Sequence, residues 1–175
     1  FCRFTGCNLW TGREKDRHKA ICQFCDTDFI GTDGPNGGKY DGASFVEVIK
    51  RIWPDDNGPI WVVFTGGEPL LQLDEALIDL CHQNDIKIAV ESNGTILAPQ
   101  GIDWLCISPK AGSEIIQQSG HELKLVFPQL GAEPIIFESW DFEYFSLQPM
   151  DDPHRTDKFG EAQINQTNLL AALEY

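Results

Sequence analysis

Apolar and polar positions follow different rhythms in different parts of the chain, and the rhythm predicts the elements. In ASFVEVIKRIW, residues 43–53, Phe45, Val48, Ile49 and Ile52 fall at helical spacing and Pro54 follows as a stop, so a helix is expected there. Residues 60–64 are a short unbroken apolar run, the pattern of a strand buried on both faces, and they feed directly into Thr65, Gly66, Gly67, Glu68 and Pro69. Asp74 can cap a helix carrying Leu77, Ile78 and Cys81. The next strand, residues 86–90, runs into Glu91, Ser92, Asn93, Gly94 and Thr95.

Three further runs repeat the theme. Residues 102–107 exit into Ser108, Pro109 and Lys110, residues 123–127 into Pro128, and residues 144–147 into Gln148, Pro149, Met150 and Asp151. Strands alternating with helical segments predict an α/β fold with a mostly parallel sheet, open or curved, whose polar loops gather at the carboxyl ends of the strands, where such folds place ligands. The first forty residues are dense in Gly, Asp, Asn and Cys and predict loops without a regular element.

Composition narrows the function. The apolar share of 42% allows a substantial core, and 175 residues read as one domain, with 1–42 a loop region and 43–175 a β/α core. Thirteen Lys and Arg against 27 Asp and Glu give a formal charge of −14, which repels a phosphate backbone, so no nucleic-acid partner is expected. No apolar run approaches the roughly 20 residues of a membrane span, and no leader opens the chain, so a cytoplasmic address is expected. The chain opens at Phe1 and closes at Tyr175 inside a helix-like run, so both ends read as cut.

Six cysteines in a chain of that address point to metal or redox chemistry before disulfides. Cys22 and Cys25 form a C-x-x-C pair, which by spacing alone admits a zinc half-site or a redox pair as readily as an iron–sulfur cluster. No second such pair or paired His follows, and no strand-to-helix junction carries it. Cys7 supplies a third thiol, whereas Cys81 and Cys106 are expected to be small core residues and Cys2 to pack in a strand remnant. Three thiolates on a four-iron cube leave one iron for a small molecule.

The motifs C-x14-C-x2-C with CQFCDTDF, TGGEP at 65–69, ESNGT at 91–95, SPK at 108–110 and QPMD at 148–151 together resemble the 7-carboxy-7-deazaguanine synthase family of radical S-adenosylmethionine (SAM) enzymes. That resemblance implies a radical SAM core, a partial, open TIM-like β/α barrel. It also implies a 4Fe-4S cluster on Cys7, Cys22 and Cys25, SAM at the cluster's free iron, and conversion of a carboxylated tetrahydropterin to 7-carboxy-7-deazaguanine with loss of ammonia, in queuosine biosynthesis. Gln23, Phe24, Asp26, Gly67, Glu68, Glu91, Ser108, Pro109, Lys110, Gln148, Pro149, Met150 and Asp151 match SAM-lining positions. Arg3 and Thr65 match substrate contacts, and Thr27 matches the ligand of a magnesium ion. Further substrate contacts in the family come from segments that this sequence does not include, and the family implies a homodimer and an electron donor such as flavodoxin or ferredoxin.

Taken singly, the same residues have plainer readings. GGEP is also a Gly-Gly turn, DTD a polar turn, Arg3 and Lys110 surface charges, and Pro109 and Pro149 strand ends. Two other functions share parts of the pattern: a glycyl-radical activase, and a non-catalytic zinc module. The insert NLWTGREKDRHKAI departs from the usual C-x3-C-x2-C spacing.

Overall fold

The computed structural model describes residues 1–54, 58–151 and 165–175. Strands β1 (Cys2–Phe4), β2 (Ile60–Gly66), β3 (Ile86–Ser92), β4 (Trp104–Ile107), β5 (Ser119–Phe127) and β6 (Asp141–Pro149) form one sheet whose spatial order is the chain order. Every neighbouring pair is parallel, so all six carboxyl ends lie along one edge. Among the described residues β1 and β6 do not pair, and the sheet is open.

Helix α1 (Gly42–Ile52) joins β1 to β2 and α2 (Glu75–His82) joins β2 to β3. Each starts where an aspartate frees the first turn from unmet N–H groups: Asp41 accepts from Ser44 N at 2.9 Å and Asp74 from Leu77 N at 2.9 Å. A third helix, α3 (Gln166–Glu174), is capped by Asn165. The expected alternation of strand and helix stops after α2. The connections from β3 to β6 are loops with one 3-10 turn, because Pro99, Gly101, Pro109, Gly112, Pro128 and Pro134 break every run that could have become a helix. The expectation of loops alone before residue 42 is also corrected, by β1 and by a 3-10 turn at Glu14–Lys19.

Side chains alternate across the sheet and divide its faces. One face carries Phe64, Ile88, Val90 and Ile107, buried against Val46 of α1 and Ile78 and Cys81 of α2, with Leu123 and Leu125 extending the core toward Phe137. Cys2 and Cys81 pack on this face. The opposite face is polar and carries Arg3, Thr65, Glu91, Lys124 and Ser146. Cys106 is buried as expected but lies on the polar face, in register with Glu91 and Glu122, where burial pushes its thiol up to about 12. Among the described residues no helix is long and apolar enough to cross a membrane.

Candidate active site at the carboxyl edge of the sheet

The residues singled out in the sequence sit at or just past the strand ends. Cys7 follows β1, and its sulfur accepts from Leu9 N at 3.4 Å. The insert closes on itself through Ile21 N donating to Leu9 O at 3.1 Å, which returns the chain so that Cys22 and Cys25 reach the neighbourhood of Cys7. The thiols of Cys22 and Cys25 share a hydrogen bond that lowers Cys25 to about 6 and raises Cys22. Burial pushes the Cys7 thiol up, against the backbone N–H groups of Leu9 and Trp10. Lys110, half-buried past β4, lies in the field of Cys22 and Cys25; burial depresses its own pKa, and the two thiols oppose that shift. Cys2 faces the helix-covered core and does not join them.

The glycine loop after β2 lies directly against the Cys7 loop. Gly67 N donates to Phe4 O at 3.0 Å, and Glu68 N donates to Gly6 O at 2.9 Å. A Cβ on Gly67 would stand 1.9 Å from Gly6 O and 3.1 Å from Cys7 Cβ, so only glycine permits this approach. Glu68 points inward and is fully buried. Its Oε1 accepts from Leu70 N at 3.0 Å and Ser92 Oγ at 2.9 Å, and its Oε2 accepts from Asn93 N at 2.8 Å. Burial raises its pKa against those three donors. The Glu68 side chain thus fastens β2 to β3, leaving only its backbone to face a ligand.

Asn8, which the sequence reading passed over, and Asn93, read there only as part of the ESNGT motif, complete the seam. Asn93 Nδ2 donates to Asn8 Oδ1 at 3.0 Å, and Asn8 Nδ2 donates to Thr95 Oγ1 at 2.7 Å, tying the residue after Cys7 to the loop after β3. The Asn-Gly-Thr turn itself was the available signal. Ser108 N donates to Ser92 O at 2.8 Å, and Lys110 Nζ folds back onto Ser108 O and Oγ at 2.6 and 2.7 Å. Gln129, buried past β5, accepts from Ala111 N and donates to Pro109 O, which fixes the SPK turn. Met150 N donates to Phe127 O at 2.6 Å, placing Gln148, Pro149, Met150 and Asp151 at the far end of the same edge.

The polar face extends this edge inward. Arg3 and Thr65 are register partners on β1 and β2. Thr65 Oγ1 donates to Glu91 Oε2 at 3.4 Å, Lys124 Nζ donates to Glu91 Oε1 at 2.9 Å, and Ser146 Oγ donates to Glu122 Oε1 at 2.7 Å. Lys124 was missed because its strand was expected to be apolar. In the loop after Cys25, Thr27 Oγ1 donates to Asp26 Oδ1 at 3.3 Å and Asp28 accepts from Ile30 N at 3.2 Å. Phe24 is half-buried beside this turn, and Gln23 is exposed. Among the described residues no three His, Cys, Asp or Glu side chains converge as a single metal ion requires.

A comparison with protein-family models finds no match. Individual proteins do match. The chain is 58% identical over 165 residues to the 7-carboxy-7-deazaguanine synthase of Bradyrhizobium diazoefficiens, covering 93% of this chain and 78% of that protein. It is 60% identical over 159 residues to the 7-carboxy-7-deazaguanine synthase of Caulobacter vibrioides and 56% identical over 156 residues to that of Bordetella pertussis, with 89% of this chain and 74% of each relative covered. Identity of this depth over about nine-tenths of the chain means that the chain belongs to the 7-carboxy-7-deazaguanine synthase family.

Proposed function

We propose that the carboxyl edge of the sheet converts 6-carboxy-5,6,7,8-tetrahydropterin to 7-carboxy-7-deazaguanine, with ammonia as the other product, by radical SAM chemistry. The observation that carries this reading is the packing of the Cys7 loop onto the Gly67 loop at the carboxyl edge of the sheet, with Cys22 and Cys25 brought back to the neighbourhood of Cys7. A structural zinc ion wants four ligands, and no second C-x-x-C or paired His in the sequence accompanies Cys22 and Cys25. Cys7, Cys22 and Cys25 fit a polynuclear cluster that takes one thiolate at each of three corners. A 4Fe-4S cluster held by Cys7, Cys22 and Cys25, once reduced by an external one-electron donor, would with SAM supply the radical chemistry.

The chain's own residues then position and enclose. Backbone groups of Gly67 and Glu68 meet the amino end of SAM, and Gln23, Phe24, Asp26, Glu91, Ser108–Lys110 and Gln148–Asp151 line the remainder of the cofactor. Arg3 takes the substrate carboxylate, and Thr65, its register partner, takes the pterin on the same face. Thr27, flanked by Asp26 and Asp28, suits a magnesium ion that keeps most of its waters. Holding reactants in one geometry and excluding water are what a protein contributes when the cofactor carries the reactivity.

The open parallel sheet is read as a partial β/α barrel, and residues 1–175 as one radical SAM domain with a cluster loop in 1–42. A homodimer, a cytoplasmic address and reduction by a flavodoxin or ferredoxin complete the proposal. The activase and zinc-module alternatives are not favoured, since the relatives share the synthase name. Anaerobic incubation of the reduced, iron-loaded protein with SAM and the carboxylated pterin tests the function. Deazaguanine product supports it; SAM cleavage without that product points to another radical SAM reaction, and stoichiometric zinc without visible absorbance to a binding module.

A further inference from the structure

The insert between Cys7 and Cys22 is absent from the usual cysteine spacing, and its side chains are arranged around one residue. Arg17 Nη1 donates to Gln23 O at 2.8 Å and to Cys25 O at 3.0 Å, so a single guanidinium nitrogen holds two carbonyls of the C-x-x-C turn. Its Nε donates to both carboxylate oxygens of Glu14 at 2.8 and 2.9 Å, and its Cζ lies 4.1 Å over the Trp10 ring. Trp10 is buried and meets Phe29 edge to face at 5.7 Å. Its buried indole N–H finds no hydrogen-bond partner among the described residues, so packing and the guanidinium hold the ring in place. Gly12, at φ +78°, brings the insert onto Ile30 and Phe29 so closely that a Cβ would stand 2.8 and 2.9 Å from them.

We propose that the fourteen-residue insert is a built-in brace for the cysteine turn, with Arg17 as its positioning residue: stacked on Trp10 and aimed by Glu14, it fixes the carbonyls of Gln23 and Cys25 and thereby the directions of Cys22 and Cys25. This rests on the reading of Cys7, Cys22 and Cys25 as cluster ligands. The geometry is specific to arginine, whose planar fork can stack, donate to an aiming carboxylate from one nitrogen and donate to two carbonyls from another. A lysine ammonium keeps the charge without the stack or the fork.

Amide hydrogen exchange on the metal-free protein tests the brace directly, because Ile21 N, bonded to Leu9 O, reports whether the insert stays closed. In Arg17→Gln, exchange across residues 20–28 is expected to rise about tenfold, with exchange in β2 and β3 unchanged. Chelator-driven iron loss from the reconstituted variant is expected to be several-fold faster than in wild type. Arg17→Lys should behave like Arg17→Gln; full rescue by lysine would reduce the role to charge and overturn the brace. Should Arg17→Gln lose cooperative melting, Glu14→Gln, which leaves the guanidinium in place but unaimed, is expected to show the same local effect in smaller measure. Wild-type exchange in a folded Arg17→Gln protein would refute the proposal. If wild type itself takes up no iron, the cluster reading fails, and the exchange comparison still decides whether the insert is a brace.

Discussion

Replacing Gly67 with alanine tests whether the seam between the glycine loop and the Cys7 loop is as tight as its contacts make it. The added Cβ would lie 1.9 Å from Gly6 O and 3.1 Å from Cys7 Cβ. Both neighbours are fixed, one a backbone carbonyl and the other the first carbon of the Cys7 side chain. The loops would have to part by at least about 1.1 Å to reach a tolerable contact, which stretches the bonds from Gly67 N to Phe4 O and from Glu68 N to Gly6 O beyond hydrogen-bonding range. Two such bonds contribute about 0.5–1.5 kcal/mol each, and residual overpacking brings the total to about 2–4 kcal/mol. For a chain of this size that corresponds to a melting temperature lower by roughly 5–15 °C. Because the displacement falls on Cys7, iron uptake under anaerobic reconstitution should fall as well, before SAM is added. Calorimetry of the metal-free protein and iron analysis of the reconstituted one read the two effects separately. Wild-type melting together with wild-type iron content in Gly67→Ala would refute the argument.

Four other outcomes follow from named contacts. Glu68→Gln sets an amide N–H₂ against a backbone N–H, that of Asn93 or of Leu70, and should cost about 1–3 kcal/mol by chemical denaturation even though it removes a buried charge. Lys124→Met should raise the substrate KM or lower kcat several-fold with iron content unchanged, and Lys124→Arg should recover part of the loss, because the ammonium holds Glu91 against Thr65. Asp103 accepts from Ile88 N and pairs with His82; partial burial works to raise its pKa, but those partners outweigh it and hold the carboxyl below its usual value. Its contribution is therefore present above the unfolded pKa of about 3.9 and lost as pH falls through the lower folded value, so the stability gap between wild type and Asp103→Asn should narrow in acid titrations below about pH 4. Thr27→Ala should weaken magnesium-stimulated turnover while leaving cluster content intact, and an unchanged magnesium dependence would remove that ligand.

Helices α1 and α2 and the strand ahead of the glycine loop were legible because their signals are local: Phe45, Val48, Ile49 and Ile52 fall at helical spacing, Asp74 stands beside the turn it caps, and residues 60–64 need no partner to read as buried. Strands β5 and β6 ran longer than expected because their first residues, 119–122 on one and 141–143 on the other, carry too few apolar side chains to read as strand, although Ser119, Gly120 and Glu122 pair in register with Asp141, Phe142 and Tyr144. Strand β1 has three residues and exists by pairing with β2, across more than fifty intervening positions, so no window on the sequence contains its cause. Cysteine spacing singled out Cys7, Cys22 and Cys25 as candidates, yet spacing could not reveal Arg17, whose partners Trp10, Gln23 and Cys25 meet only after the insert has closed. Glu68 was visible as part of a motif, but its burial and three donors from β3 and its own turn belong to tertiary packing.

The most direct measurement is electron paramagnetic resonance of the reduced, reconstituted protein before and after SAM, compared with Cys7→Ala. With three thiolate ligands and one open iron, the wild-type signal should change when SAM is added, and Cys7→Ala should fail to assemble a stable four-iron cluster. A wild-type signal indifferent to SAM, or a Cys7→Ala protein whose cluster and SAM response match the wild type, would contradict the account.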